Sequence, residues 1–159
     1  MKYKVWTRNK LIAATFLTLA GGAWVAEAAA PNIIAAVNAR KANYKEIGGA
    51  FKTINDEIKT GSPDLNTIRP LAKDIFTRAS GQLKYFPQGS GPQVGVKTRA
   101  KAAIWSDQAG FKQAHGDMVA AASALQDAAS RGDIAALTAA RTKLGATCKN
   151  CHDKYREAE

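Results

Sequence analysis

Two cysteines and two histidines are all that this chain of 159 residues holds of those residue types. A structural zinc site takes four ligands, and His115 lies far upstream of Cys148, Cys151 and His152, so that reading is excluded. Acidic residues are also scarce, 13 against 23 lysines and arginines. The basic residues are spread along every segment with few aromatics between them, which argues against a nucleic-acid surface. No stretch alternates apolar and polar residues with a period of two, so nothing reads as a sheet. There is no internal repeat and no low-complexity tract. Beyond the N-terminal segment the only methionine is Met118.

One long apolar run is present, from Leu11 to Ala26, behind Lys2, Lys4, Arg8 and Lys10 and ahead of small residues through Ala30. Charged, apolar and small-residue regions in that order are those of a secretory signal. An uncleaved anchor helix is the competing reading, since the run nearly spans a bilayer. Ala26-Glu27-Ala28 and Ala28-Ala29-Ala30 both offer a small-x-small cleavage pattern, and Pro31 after the second favours cleavage after Ala28. The expected domains are therefore a signal peptide over 1–28 and one helical domain over 29–159. Cleavage takes away four of the 23 basic and one of the 13 acidic residues, leaving a formal charge of +7. Such a surface favours encounter with acidic proteins or anionic membranes.

Four apolar patterns with a helical period follow. The first covers 32–59 through Val37, Tyr44, Ile47, Phe51, Ile54 and Ile58, and Gly61-Ser62-Pro63 stops it. Asp64 or Asn66 starts the second, which runs through Ile68, Leu71, Ile75 and Leu83 to about Phe86-Pro87, with Pro70 in its first turn. Residues 87–103 read as a long loop. Ser106 and Asp107 are good N-caps for a third helix carrying Phe111, Met118, Leu125 and Ala129. Gly132-Asp133 opens the fourth, with Ile134, Leu137, Leu144, Cys148, Cys151 and Tyr155. Two short connections and one long one predict an all-α, antiparallel up-down-up-down four-helix bundle.

Cys148-Lys149-Asn150-Cys151-His152 is the C-x-x-C-H signature of covalent haem attachment. On a helix, residues at i, i+3 and i+4 share a face, so both thiols reach the vinyl carbons of one haem while the imidazole turns to the iron. A redox or structural disulfide is the competing reading, but the catalytic C-x-x-C normally follows a strand, and here it lies in the last helix. One haem c near the C-terminal end of that helix, with His152 as metal ligand, is the expectation, and with an export signal it points to the periplasm.

The motif's place near the C-terminus resembles the class II c-type cytochromes, the cytochrome c′ family. Residues 145–156 look like the haem helix of that family. Arg40, Tyr44, Gly48 and Phe51 match the spacing of its first helix, and Ile104-Trp105-Ser106-Asp107 with Phe111 and Lys112 is similar to its third-helix start. The resemblance implies further roles by position: Arg40 beside a haem propionate, Arg156 beside the proximal iron face, Tyr44 over the distal face. It also implies a homodimer packed through the first two helices.

The family carries Leu or Phe at the place of Tyr44 in five-coordinate gas binders and Met in low-spin electron carriers. Tyr44 is neither. Its ring can pack over the haem, its hydroxyl can donate a hydrogen bond to a ligand, or its phenolate can ligate iron, the last opposed by a reference pKa near 10. His115 and Met118 are the other groups able to approach the iron, although core packing accounts for Met118 and a boundary position for His115. Trp105 reads as core and Arg141 as a snorkelling side chain. The expected function is one-electron transfer by Fe(III)/Fe(II) cycling with an acidic redox partner. The alternative is an open distal site that binds NO or CO. Enzymatic activity of a peroxidase kind is not expected, because no acid-base pair of His and Arg marks a distal pocket.

Overall fold

The computed structural model describes residues 24–158, with side chains from Asn32 onward. The export segment expected over 1–28 lies outside the described side chains, and its first 23 residues lie outside the described chain altogether. Five helices follow one another: α1 (Trp24–Lys59), α2 (Leu65–Ser80), the one-turn α3 (Ala103–Ser106), α4 (Gln108–Arg131) and α5 (Ile134–Tyr155). The four long ones form the expected bundle. α1 packs on α2, α2 on α4 and α4 on α5.

Each long helix after the first opens on an aspartate. The Asp64 carboxylate accepts the Asn66 N–H, Asp107 that of Gly110 and Asp133 that of Ala136. These bonds satisfy amides that no carbonyl of the first turn can reach. Gly132 turns the chain between α4 and α5 at φ 73°, a conformation that residues with a Cβ rarely take. Ser106, the other expected cap, ends α3 instead.

The core is built from branched aliphatics and alanines. Ile54, Ile68, Ile75, Leu125, Leu137 and Leu144 are fully buried, as are Ala72 and Ala79 on α2 and Ala121, Ala122, Ala128 and Ala129 on α4. Small residues on both faces let α2 and α4 pack against each other closely. Around Ile104, Phe111 and Tyr155 a second apolar cluster gathers Phe86, Trp105 and Cys151 at the other end of the molecule.

Two expectations need correction. α2 stops at Ser80 rather than near Phe86, because Gly81 leaves the helical register and Gln82–Tyr85 continues as a separate 3₁₀ turn. That rotation turns Leu83 out to 37% exposure and Gln82 into the interior. Pro70 stands sixth in α2, one turn deeper than expected, so the exposed Asn66 carbonyl has no N–H to receive from it. Ile134 is likewise 40% exposed, being the first residue of α5 at the end of the bundle.

Candidate functional site

α1 and α5 make few direct contacts. A Cβ on Gly145 would lie 3.4 Å from the Phe51 ring, an ordinary contact distance, and the two helices meet there. Beyond that point the two helices stand apart and enclose a cavity of about 530 Å³. Its size falls within the range of small-molecule and cofactor sites. From α5 it receives Leu144, Cys148, Cys151, His152, Tyr155 and Arg156, and from α1 it receives Arg40, Tyr44, Ile47 and Phe51. All six residues singled out from the sequence, Cys148, Cys151, His152, Arg40, Tyr44 and Arg156, therefore face one space.

The long loop supplies the third wall through Phe86, Lys97, Thr98, Arg99 and Ala100. It is stitched to the end of α5: Lys101 donates its N–H to the Tyr155 carbonyl at 3.0 Å and Glu157 donates to the Arg99 carbonyl at 2.8 Å. Nothing in the sequence of this segment assigns it a role, since it has no apolar period. The alternation of Lys97, Arg99 and Lys101 was its one visible signal.

Cys148 and Cys151 are free thiols, one helical turn apart. Burial pushes both above the ordinary thiol value; Cys151, with Cys148 beside it, goes up to about 11. They are neutral, poorly nucleophilic thiols rather than the acidic kind that drives disulfide exchange. His152 is half-buried, and burial, with Arg156 and Arg99 nearby, holds its imidazole below the usual histidine value. A neutral imidazole has a lone pair free to ligate a metal.

Tyr44 brings its ring edge to Phe86, with centroids 6.5 Å apart. Burial, and then the neighbouring Cys151, raise its phenol well above the ordinary range, so the group is protonated at any physiological pH. The packing of Met118 against the core extends to the cavity wall. His115 does not reach it: its Nε2 lies 2.9 Å from the Ala79 carbonyl, between α4 and α2. Trp105 donates its indole N–H to the Pro87 carbonyl at 3.0 Å and belongs to the second apolar cluster, as expected.

Arg40 is only 4% exposed. Its guanidinium donates to the Ser90 carbonyl at 3.0 Å, the Thr98 hydroxyl at 2.8 Å and the Ser90 hydroxyl at 3.3 Å, and it stacks over Phe86 at 4.7 Å. Every one of these acceptors is neutral. A buried cation held only by dipoles attracts an anion placed beside it more strongly than a solvated one would.

Asp107 ties the start of α4 to the end of α5. Besides capping Gly110 it accepts the Tyr155 hydroxyl at 2.8 Å and the Lys154 ammonium at 2.8 Å. A Cβ on Gly110 would come within 2.6 Å of the Tyr155 hydroxyl and 2.4 Å of the carboxylate, so this junction has room for glycine alone. These three donors hold Asp107 at about 2, below the ordinary 3.8. Its depressed value in the folded chain means that the contribution to stability is complete above about 4 and is lost as pH falls toward 2. Acid titration of thermal stability is expected to show a decline across that window, and Asp107→Asn is expected to flatten it. An unaltered acid limb in the variant would show that other carboxylates govern it.

The sequence profile described as Cytochrome C′ matches residues 35–156. The chain is 37% identical over 133 residues to the cytochrome c′ of Rhodospirillum rubrum, a match covering 83% of this chain and 87% of the relative. Among solved structures, the cytochrome c′ of Thermochromatium tepidum superposes with a TM-score of 0.75 at 30% identity, covering 79% of this chain and 97% of that one. The nitric oxide complex of a variant cytochrome c prime from Alcaligenes xylosoxidans does so with a TM-score of 0.72 at 29% identity, covering 80% and 97%. A four-helix bundle, a C-terminal C-x-x-C-H on its last helix and a match across nearly the whole described chain lead to one assignment: this protein belongs to the cytochrome c′ family.

Proposed function

We propose that this chain is an exported, periplasmic c-type haem protein that receives a diatomic gas such as NO or CO. Cys148 and Cys151 would hold one haem c through thioether bonds, His152 would ligate its iron, and Tyr44 lines the same cavity, where the gas would be received. The observation that carries this reading is one cavity between α1 and α5, lined at once by both thiols, the imidazole and a phenol that stays protonated. The buried Arg40, which has only neutral partners, fits the anionic propionate of such a group. When bound, the haem supplies an Fe(III)/Fe(II) couple and a coordination position for the gas.

The chain's own residues then have separate tasks. Ile47, Phe51, Phe86, Phe111 and Leu144 keep water from the cavity. Tyr44, being protonated, packs its ring there and offers an O–H donor; burial opposes its use as a phenolate ligand. Arg156 sits exposed at the mouth and adds positive charge beside His152. None of these groups makes an acid-base pair, and the protein is read as a binder or carrier rather than an enzyme.

One-electron exchange with a partner protein is the second reading. Lys41, Lys97, Arg99 and Arg156 ring the cavity mouth, and a basic rim raises the encounter rate with an acidic redox partner. The homodimer that the family resemblance implies is tested by the mass of the protein in solution.

Absorption spectra of the oxidised and reduced protein, repeated under CO and NO, test the gas-binding reading. High-spin spectra that change on adding either gas are expected. A low-spin spectrum indifferent to CO would overturn the proposal and turn attention to Met118, the remaining candidate ligand on the wall. Tyr44→Phe is expected to leave the resting ferric spectrum unchanged, whereas loss of a charge-transfer band would reveal a phenolate ligand.

A further inference from the structure

His152 lies in the last turn of α5, which ends at Tyr155. Helix ends fray, because their final carbonyls have no amide of the same helix to bond. A ligand placed there sweeps through several orientations unless something outside the helix holds the turn. Here the turn is held from outside by backbone and side chain alike. The Lys101 N–H donates to the Tyr155 carbonyl at 3.0 Å, and the Lys101 ammonium to the Asp153 carbonyl at 3.0 Å. The His152 carbonyl receives the Arg156 N–H at 2.9 Å, and Arg156 pairs with Ala100 in an antiparallel bridge. The side-chain tie is that of the Tyr155 hydroxyl, which donates to the Asp107 carboxylate at 2.8 Å.

Together these bonds close a ring. From Lys101 the backbone runs through the single turn of α3 to Asp107, and on the way the Ile104 and Asp107 amides bond back to the Lys101 and Ala103 carbonyls. Asp107 meets the hydroxyl of Tyr155, whose carbonyl returns to Lys101. Tyr155 is thus gripped at both ends, while its ring, 3% exposed, stands edge to face on Phe111 with centroids 5.2 Å apart. Backbone bonds keep the turn from unwinding. The hydroxyl, at the far tip of a rigid ring, acts as a lever on its roll about the helix axis.

The two carboxylate oxygens divide the work. Oδ1 caps Gly110, and Oδ2 takes Tyr155 and Lys154. Both partners of the Lys154 pair are well exposed, so that pair contributes little. The bond to Tyr155 is the one that ties α5 down. We infer that Asp107 is a positioning residue for His152: acting through the Tyr155 hydroxyl, it fixes the roll of the last turn of α5 and so the direction from which the imidazole meets the iron. This rests on His152 being the iron ligand and adds to it the group that orients the ligand, a residue outside α5 altogether.

Electron paramagnetic resonance of the ferric, haem-loaded full chain tests it, because line width and rhombic splitting follow the orientation of an axial imidazole in either spin state. One narrow signal is expected of the wild type. Tyr155→Phe keeps the ring on Phe111 and removes only the hydroxyl. Asp107→Ser keeps an oxygen able to cap Gly110 but is too short for Tyr155. Each is expected to broaden or split the signal to the same extent, and the double variant to go no further. Asp133→Ala removes the cap at the opposite end of α5; it is expected to lower stability and leave the signal as in the wild type. An unchanged signal in Tyr155→Phe and Asp107→Ser would overturn the positioning role. Equal broadening in Asp133→Ala would overturn it too, by tracing the effect to lost stability. Should Asp107→Ser fail to fold, Tyr155→Phe and Asp133→Ala decide between them. In a wild-type chain labelled with ¹⁵N-histidine, the absence of any histidine nitrogen coupled to the iron would overturn the reading of His152 as ligand, and the positioning role with it.

Discussion

Combining Cys148→Ala with Cys151→Ala is expected to abolish all haem that survives denaturation, while either single substitution keeps a covalently held haem through one remaining thioether. The two thiols stand a turn apart on α5 and face the same cavity, so each can form its bond independently of the other. In the double variant His152 and the apolar walls are intact, and the same haem can be held only by ligation and burial, which unfolding removes. Haem staining after electrophoresis in detergent reads the difference directly. Full staining of the double variant would mean that the attachment lies elsewhere, and an unstained wild-type chain would mean that the thiols are not used for it. Thiol titration of the unfolded wild-type chain offers a second readout: two thioether bonds leave no free thiol, whereas unattached Cys148 and Cys151 would both react.

Arg40→Met is expected to cost roughly 2–4 kcal/mol, the loss of several hydrogen bonds to a buried charged group. Methionine keeps the length of the stem and much of the contact with Phe86, so packing changes little. What is lost is the one donor to the buried Ser90 carbonyl among the described residues, together with the bond to Thr98. These two residues belong to the segment 86–98, which has a single 3₁₀ turn, Pro92–Val94, and no long helix of its own. A shift of the urea midpoint at constant slope measures the cost. Faster amide exchange confined to 86–98 shows that the loop is what Arg40 holds. Wild-type stability with normal exchange would reduce Arg40 to a partner of the propionate alone. The same substitution bears on the site because the loop is one wall of the cavity.

The way Arg40 is used marks the limit of sequence reading in this protein. Its spacing with Tyr44, Gly48 and Phe51 put it on the right face of α1, and it does line the cavity. Its bonds, however, go to residues 45 to 58 positions further on. Nothing local to Arg40 encodes Ser90 or Thr98. Gln82 is a sharper case: a polar residue in a stretch that reads as a continuing helix is assigned to the surface, and Leu83 to the core. The break at Gly81 reverses both.

By itself the sequence determined the four long helices, a short set of cap candidates at the starts of the later ones and the face of α5 that carries Cys148, Cys151 and His152. Those features follow from interactions within a few residues: a period of 3.6, a side chain reaching its own helix's first amides, and a spacing of three and four. The tertiary structure alone decided that α1 and α5 part to form a cavity, that the loop from Phe86 to Ala100 closes it, and that His115 turns away while Met118 reaches its wall. It also decided that Gln82 turns into the interior and pairs with Asn43. These outcomes depend on bonds and contacts between segments tens of residues apart, which become definite only once the helices have packed and each buried polar group must find a partner or remain without one.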